Sequence, residues 1–411
     1  MELEPNRSID WFVLDGRPVI FHEAHQKLIS LDAIASHLWQ TLWPDCVART
    51  YTSTVIRETA AIAVASRAAC SLGEATSFAE MCIQQWKASG LIVPPSPVQS
   101  RMTGSAGTRI VRFARTPRHG DWSGTFRSFQ LDRIVVSMNE DGSLAEVTGQ
   151  IFGHLPAAID GGDMRVSVRH AAGGYKIADW RGRSEFCRTP DDVAARLKTA
   201  ILGAELARHS GAIALHAAAL VHNGAMMIVA GGSGSGKSTL AAALCSVGYT
   251  LIGEDVILLD AEAGVIRGLP LAHTAKRGSW PALQRYFPEL GDIPQRTRPD
   301  GKCVKYLWPR SWAESAPISS LRQVIFPRYR AGWGLEMHRV ARTQALVDML
   351  QEALSQDHRM TRSAFRALCS ALAGAKVRRL EFGDLEAAID HIRTEHSTLS
   401  GTAGAEEVLR P

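Results

Sequence analysis

Residues 230–240 read AGGSGSGKSTL and follow the apolar run Met226 to Val229, MMIV. Gly231, four residues, Gly236, Lys237 and Ser238 satisfy the G-x-x-x-x-G-K-[ST] spacing, in which glycines let consecutive backbone N–H groups point inward at phosphate oxygens. The run before the loop suits a buried strand. Ser238 to Val247 (STLAAALCSV) has helix-forming composition and begins with a hydroxyl residue. Phosphates are therefore expected at a helix N-terminus, where unpaired N–H groups and the dipole favour negative charge. The expected cofactor-binding set for ATP is Gly231, Gly232, Ser233, Gly234, Ser235, Gly236, Lys237, Ser238 and Thr239. In this set Lys237 reaches the β/γ-phosphates and Ser238 holds Mg²⁺.

Working outward, TLIGEDVILLD (250–260) reads as a second strand running back to the same sheet edge, which sets Glu254 and Asp255 beside the γ-phosphate. Upstream, IALHAAALVHNG places His216 on a strand just before the loop strand. An Asp, a His, a Lys and a Mg²⁺-binding Ser converging on one phosphoryl group are what transfer to a hydroxyl needs. The Asp takes or orients the acceptor proton, while Lys and Mg²⁺ stabilise charge on the equatorial oxygens.

This spacing resembles HPr kinase/phosphorylase, a family with a histidine on the strand before such a loop and an acidic pair after the following helix. His216 precedes Ser238 by 22 residues and Asp255 follows it by 17, both separations that the family uses. The resemblance covers 202–260 well and implies an α/β fold with a P-loop kinase core of the HPr kinase type. It implies Asp255 as catalytic base, His216 as its partner, Lys237 as the phosphate-binding catalytic lysine and Ser238 as the Mg²⁺ ligand. Glu254 replaces the first aspartate of the pair. Ala275 precedes KRG (276–278) where the family has an acidic Mg²⁺ ligand, so Glu254 becomes the substitute for the second metal contact. The family's substrate-binding stretch that supports phosphorylase activity is not recognisable. In its place RTRPDGKCVKYLWPR (296–310) is either a solvated loop or a lid whose Lys302 or Lys305 touches phosphate or acceptor. Homo-oligomerisation is raised by the family's hexamer, although no interface motif is legible.

The N-terminal stretch WFVLDGRPVIFHEAHQKLISLD gives short β-like runs with Asp15-Gly16 as a hairpin turn. AIASHLWQTL, STVIRETAAIAVA and SFAEMCIQQWKASGLI follow with apolar residues at helical spacing. The order resembles PqqD-like domains, small winged-helix-like α+β modules that recognise leader segments of ribosomally made precursor peptides. Asp32 stands where that family more usually has asparagine. An unrelated winged-helix-like accessory domain is the alternative.

Composition breaks at PPSPVQSRMTGSAGTR (94–109), where Pro, Ser and Gly cluster without apolar periodicity. The expected organisation is a recognition domain over 1–95, a linker over 96–122, a kinase domain over 123–395 (a β-rich lobe, 123–200, and a nucleotide-binding core, 201–395) and a flexible tail over 396–411. At 411 residues and 45% apolar the chain can bury a large core. A net charge of +5 suits an anionic nucleotide but is too weak and scattered to argue for nucleic acid. The seven cysteines show neither C-x-x-C pairing nor His/Cys ligand spacing, which points to a reduced cytoplasmic chain without structural zinc. No apolar run reaches the length of a membrane span.

The whole arrangement most resembles HPr-kinase-related proteins encoded with peptide-modification and lasso-peptide genes. The resemblance implies a kinase that phosphorylates a Ser or Thr of a precursor peptide or small protein, with the N-terminal domain holding the leader. A small-molecule kinase and a nucleotide-binding scaffold without transfer are the competing readings. A transporter-type ATPase would need an LSGGQ-like signature downstream, and no Gly-Gly pair occurs after Gly232.

Overall fold

The computed structural model describes residues 2–44, 49–68, 70–95, 126–131, 134–139, 142–157, 164–209, 212–351, 353–354 and 359–406, so the expected linker 96–122 lies outside the described residues. It is a mixed α/β protein with six sheets, and its chain divides into two compact units.

The first unit begins with β1 (Glu2–Pro5), β2 (Ile9–Leu14), β3 (Arg17–His22) and β4 (Lys27–Ser30). β2, β3 and β4 form an antiparallel meander in which Leu14 pairs with Arg17. Asp15 (φ +50°) and Gly16 (φ +76°) both take left-handed backbone, as a two-residue hairpin turn requires. α1 (Ala33–Leu42) follows, and Asp32 caps it by accepting from the Ile34 and Ala35 amides at 2.9 and 2.8 Å. An aspartate does this as well as an asparagine would. Then come β5 (Tyr51–Thr52), α2 (Ser53–Ala68), α3 (Leu72–Ala88) and β6 (Ile92–Val93), with β1 between β5 and β6. Trp39 sits at the centre of the core, its ring 4.6 Å from Trp43, 5.1 Å from Trp86 and 5.7 Å from Trp11.

The second unit opens with β7 (Phe126–Leu131), β8 (Ile134–Asn139), α4 (Gly142–Phe152), β9 (Met164–Ala171), β10 (Gly174–Ala178), β11 (Ser184–Cys187) and α5 (Pro190–Arg208). The sheet order is β11-β10-β9-β8-β7, antiparallel except for β8 and β9. That parallel pair needs a crossover, and α4 supplies it. The expected β-rich lobe is therefore α/β, with Ile151, Phe152, Leu197 and Ile201 buried against Val136 and Val166.

Next come β12 (Ile213–Leu215), β13 (Ala217–His222), β14 (Ala225–Ala230), α6 (Lys237–Ser246), β15 (Thr250–Gly253), β16 (Ile257–Asp260), β17 (Val265–Gly268), β18 (His273–Lys276) and α7 (Trp280–Leu283). β19 (Arg296–Thr297), β20 (Cys303–Leu307), β21 (Ser315–Pro317), β22 (Leu321–Tyr329), β23 (Glu336–Arg339), α8 (Arg342–Gln351), β24 (Ala353–Leu354), α9 (Arg362–Gly374), β25 (Lys376–Phe382) and α10 (Leu385–Glu406) complete the chain. The central sheet runs β15-β13-β14-β22-β25-β23, with β14, β22 and β25 parallel. A second sheet runs β21-β17-β16-β12-β24, and a third β18-β20-β19.

Three expectations change. TLIGEDVILLD is two strands in different sheets, β15 and β16, broken at 254–256. The chain from 396 is not a loose tail up to Glu406: α10 continues through it, and His396 is buried, its ring accepting from or donating to the Tyr249 hydroxyl at 3.1 Å. The first unit is also not contiguous in sequence, because Ala341–Leu346 and Arg359–Ala373 belong to it. Phe365 stacks on Phe21 at 5.3 Å, Arg366 pairs with Asp10, and Arg342 pairs with Asp15 at 2.9 Å. Among the described residues no helix is long and apolar enough to cross a membrane.

Candidate active site

The site is built where the chain steps twice between the same two sheets. β12 and β13 belong to different sheets, and the one residue between them is His216; β15 and β16 likewise differ, and Glu254, Asp255 and Val256 join them. The sequence reading put His216 on a strand, whereas it occupies the step itself. The two steps meet: His216 Nε2 lies 3.1 Å from Asp255 Oδ1. An ionised carboxylate has no proton to give, so the ring N–H donates.

Asp255 has φ +72°, and across it the Val256 amide donates to the Glu254 carbonyl at 2.9 Å. This is a γ-turn in its rare, strained sense. Aspartate tolerates left-handed backbone better than most residues, and strain of this kind collects at functional positions. Its side chain is 78% exposed. The His216 hydrogen bond holds its carboxyl below the usual aspartate range, and the charges of His216, Lys198 and Lys237 add to that.

The neighbouring Glu254 goes elsewhere. Its side chain is 6% exposed, Oε2 accepts from the Thr274 amide at 3.2 Å, and the same oxygen lies 3.4 Å from His273 Nδ1. Burial alone would depress the His273 pKa, but the nearby Cys245 and Glu254 outweigh it and push the value up to about 10. Glu254 thus faces the buried His273 ring and is absent from the walls of the cavity that Ser238 lines. Glu254, expected as a metal ligand, is turned toward His273 here, because the turn at Asp255 sends the two adjacent carboxylates in different directions.

Between β14 and α6 the loop carries Gly231, Gly234 and Gly236 at φ +133°, +84° and +103°. Gly236 is the N-cap of α6 and supplies no side chain, so the first N–H groups of the helix have no side-chain cap. The Ser235 hydroxyl is buried without a partner. Lys237, 8% exposed, folds back to donate to the carbonyls of Gly231 and Gly232 (3.1 Å to the latter). Uncapped donors, an orphaned hydroxyl and a lysine turned onto its own loop fit an anion such as a nucleotide phosphate. Tyr329 at the end of β22 braces the loop, its amide donating to the Ser235 carbonyl at 3.0 Å.

A cavity of about 480 Å³ opens over this loop. Of the expected cofactor-binding residues Ser233, Gly234, Gly236, Lys237, Ser238 and Thr239 line it; Gly231, Gly232 and Ser235 do not. His216 and Asp255 line it too. Lys302 is on its wall, 3.2 Å from Asp300, whereas Lys305 donates to the Leu290 carbonyl at 2.7 Å and takes no part.

Sequence reasoning missed Thr274, Lys276, Arg298 and Tyr329, all on the cavity wall, and Lys198 behind it. Lys198 comes from α5 and donates to Thr274 Oγ1 at 3.2 Å with its ammonium 5.0 Å over the Tyr306 ring. Burial holds its pKa below the usual lysine value, while Glu254 and Asp255 oppose that shift. No local signal marks it, since it sits in an ordinary amphipathic helix far from the loop in sequence.

No family model matches the chain, and no curated protein matches it. Among solved structures it is similar to the Hpr(Ser) kinase/phosphatase from Coxiella burnetii, at 11% identity and a TM-score of 0.23. That likeness covers 48% of this chain and 99% of the other.

Proposed function

We propose that this protein is an ATP-dependent kinase that transfers a phosphoryl group to a Ser or Thr hydroxyl of a ribosomally made precursor peptide or small protein. One observation carries the reading: the His216–Asp255 pair faces the same cavity as the uncapped N-terminus of α6 and Lys237. A scaffold that only holds nucleotide has no use for a strained, ionised carboxylate there.

The residues divide the work. The loop amides from Ser233 to Thr239 and Lys237 bind phosphate oxygens, and Ser238 would hold Mg²⁺. ATP with Mg²⁺ supplies the transferable phosphoryl group and neutralises charge on it. Asp255 Oδ accepts the proton of the acceptor hydroxyl, and His216 fixes the carboxylate by donating to its other face. Arg298, Lys276 and Lys302 give the cavity wall positive charge suited to phosphate. Tyr329 and Phe382, rings 5.7 Å apart on the same wall, offer an apolar seat for a base.

The N-terminal unit would bind the leader of the acceptor. Among the described residues β4 pairs only with β3, which leaves strand edge for an extended peptide to add to. Tethering there raises local acceptor concentration without adding a catalytic group.

The deciding experiment incubates the protein with Mg·ATP and candidate precursor peptides and follows peptide mass. Addition of phosphoryl mass to a Ser or Thr is the expected result. Tight ATP binding without transfer would leave a scaffold, and transfer to a metabolite instead would make it a small-molecule kinase.

A further inference from the structure

A second cavity, of about 580 Å³, lies against β20. One wall is a face of α4 (Ala145, Glu146, Gly149, Gln150) with Gly153 just beyond its end, the opposite wall is the turn at 289–294, and the floor is Tyr306, Leu307 and Trp308.

Two glycines shape it for different reasons. A Cβ on Gly153 would come 2.8 Å from the Trp308 ring, so packing requires that glycine. A Cβ on Gly149 would meet nothing within 4 Å. Apart from proline, glycine is the worst residue for a helix interior, and packing gives no reason for one here. What the missing side chain leaves is cavity space. The floor is held firm: the Trp308 indole N–H donates to the Gln150 carbonyl at 2.7 Å, while the ring stays half exposed.

The charge of the cavity is the reverse of the active-site wall. Glu146 is paired with Arg296, but Glu289 and Asp292 stand exposed at the mouth and have no ion pair among the described residues. In a chain with net charge +5 this is a local acidic rim around an aromatic and aliphatic floor. Such a pocket complements an apolar side chain flanked by a cation, with Trp308 offering its ring face to either.

The pocket also abuts the reaction site. β18 pairs with β20 so that Thr274 is opposite Tyr306; Thr274 lines the first cavity and Tyr306 the second. A polypeptide bound at one can therefore reach the other at the same time.

We propose that this second cavity is an accessory docking pocket for the acceptor polypeptide, taking a leucine-like side chain flanked by lysine or arginine. The proposal rests on the reading of the protein as a kinase of polypeptides.

The test uses the full-length protein and a fluorescein-labelled peptide of alternating leucine and arginine, with matched peptides carrying Glu for Arg or Gly for Leu, read by anisotropy. The Leu/Arg peptide is expected to bind at least tenfold more tightly than either control. Gly149→Leu fills the open space and should weaken that binding tenfold or more while ATP affinity and Tm stay at or above wild type. The double substitution Glu289→Lys, Asp292→Lys, at exposed positions, should do the same and decides the matter if Gly149→Leu does not fold. Equal affinity for the Glu peptide, unchanged binding in the filled or charge-reversed variants, or free arginine amide competing as well as the peptide would overturn the proposal. Lys237→Ala should keep peptide affinity, so that loss of phosphoryl transfer and loss of docking are read separately.

Discussion

Glu254 and Asp255 are adjacent in the chain, yet their carboxylates do opposite things: one is sealed against His273 and the Thr274 amide, the other is open to the cavity and bonded to His216. Sequence alone makes them look like an interchangeable acidic pair. The γ-turn at Asp255 is what parts them.

Asp255→Asn keeps size and shape but cannot take a proton. Turnover should fall by roughly two to four orders of magnitude, the usual range for losing a positioned base. ATP affinity by titration calorimetry should be unchanged; a joint loss would make Asp255 a metal or structural residue. Because the Asp255 pKa is lowered, the carboxylate is ionised throughout the neutral range, and the acid limb of the kcat profile should lie below the ordinary aspartate value. His216→Gln should move that limb to higher pH.

Glu254→Gln should report through stability rather than metal. Removing the carboxylate takes away the charged partner of the buried His273 ring, so the variant should be less stable than wild type. Urea titration should show it. The Mg²⁺ dependence of any remaining activity should be unaltered, and a raised Mg²⁺ requirement without destabilisation would return Glu254 to the metal.

Lys237→Ala removes the cation that folds onto the loop carbonyls. Transfer should be abolished and ATP binding weakened, because a charge-assisted phosphate contact in a partly desolvated site is lost. Full activity in a transfer assay would dissociate this loop from the chemistry.

Lys198→Met tests a positioning role. It deletes the donor to Thr274 Oγ1 and a positive charge that helps keep Asp255 ionised. The kcat should drop with KM for ATP little changed, and the acid limb should rise in pH; Lys198→Arg should restore the limb more than the rate. An unmoved limb would reduce Lys198 to packing.

His396, buried beside Tyr249 and His222, has its pKa lowered by burial to about 4. Below about pH 6.5 the unfolded chain takes up a proton that the native site refuses, so stability falls as pH drops toward about 4, by on the order of 3 kcal/mol in total. Thermal melts of His396→Asn over that window should show a shallower slope than wild type.

Much of this was legible. The Gly-rich loop between an apolar strand and a helix, the Asp15-Gly16 hairpin and the helices α1, α2 and α3 follow from local spacing and turn chemistry. The cavity residues Thr274, Arg298 and Tyr329 were not legible, because each is placed by sheet pairing over long sequence separations. Helix α4 hid behind two glycines, and the strand break at 254–256 hid between two apolar runs that read as one strand. The direction of Glu254 was not legible because it depends on a turn that no residue type announces.

The inclusion of α9 in the first unit has a consequence for how the molecule is made. Phe21 and Asp10 are synthesised early, but their partners Phe365 and Arg366 are encoded more than three hundred residues later. A ribosome delivers the N-terminus first, yet that unit stays incomplete until nearly the whole chain has emerged. Strands β2 and β3 wait for α9, and a peptide-binding surface built on them would become competent only when, of the second unit, little more than β25 and α10 is still to be made.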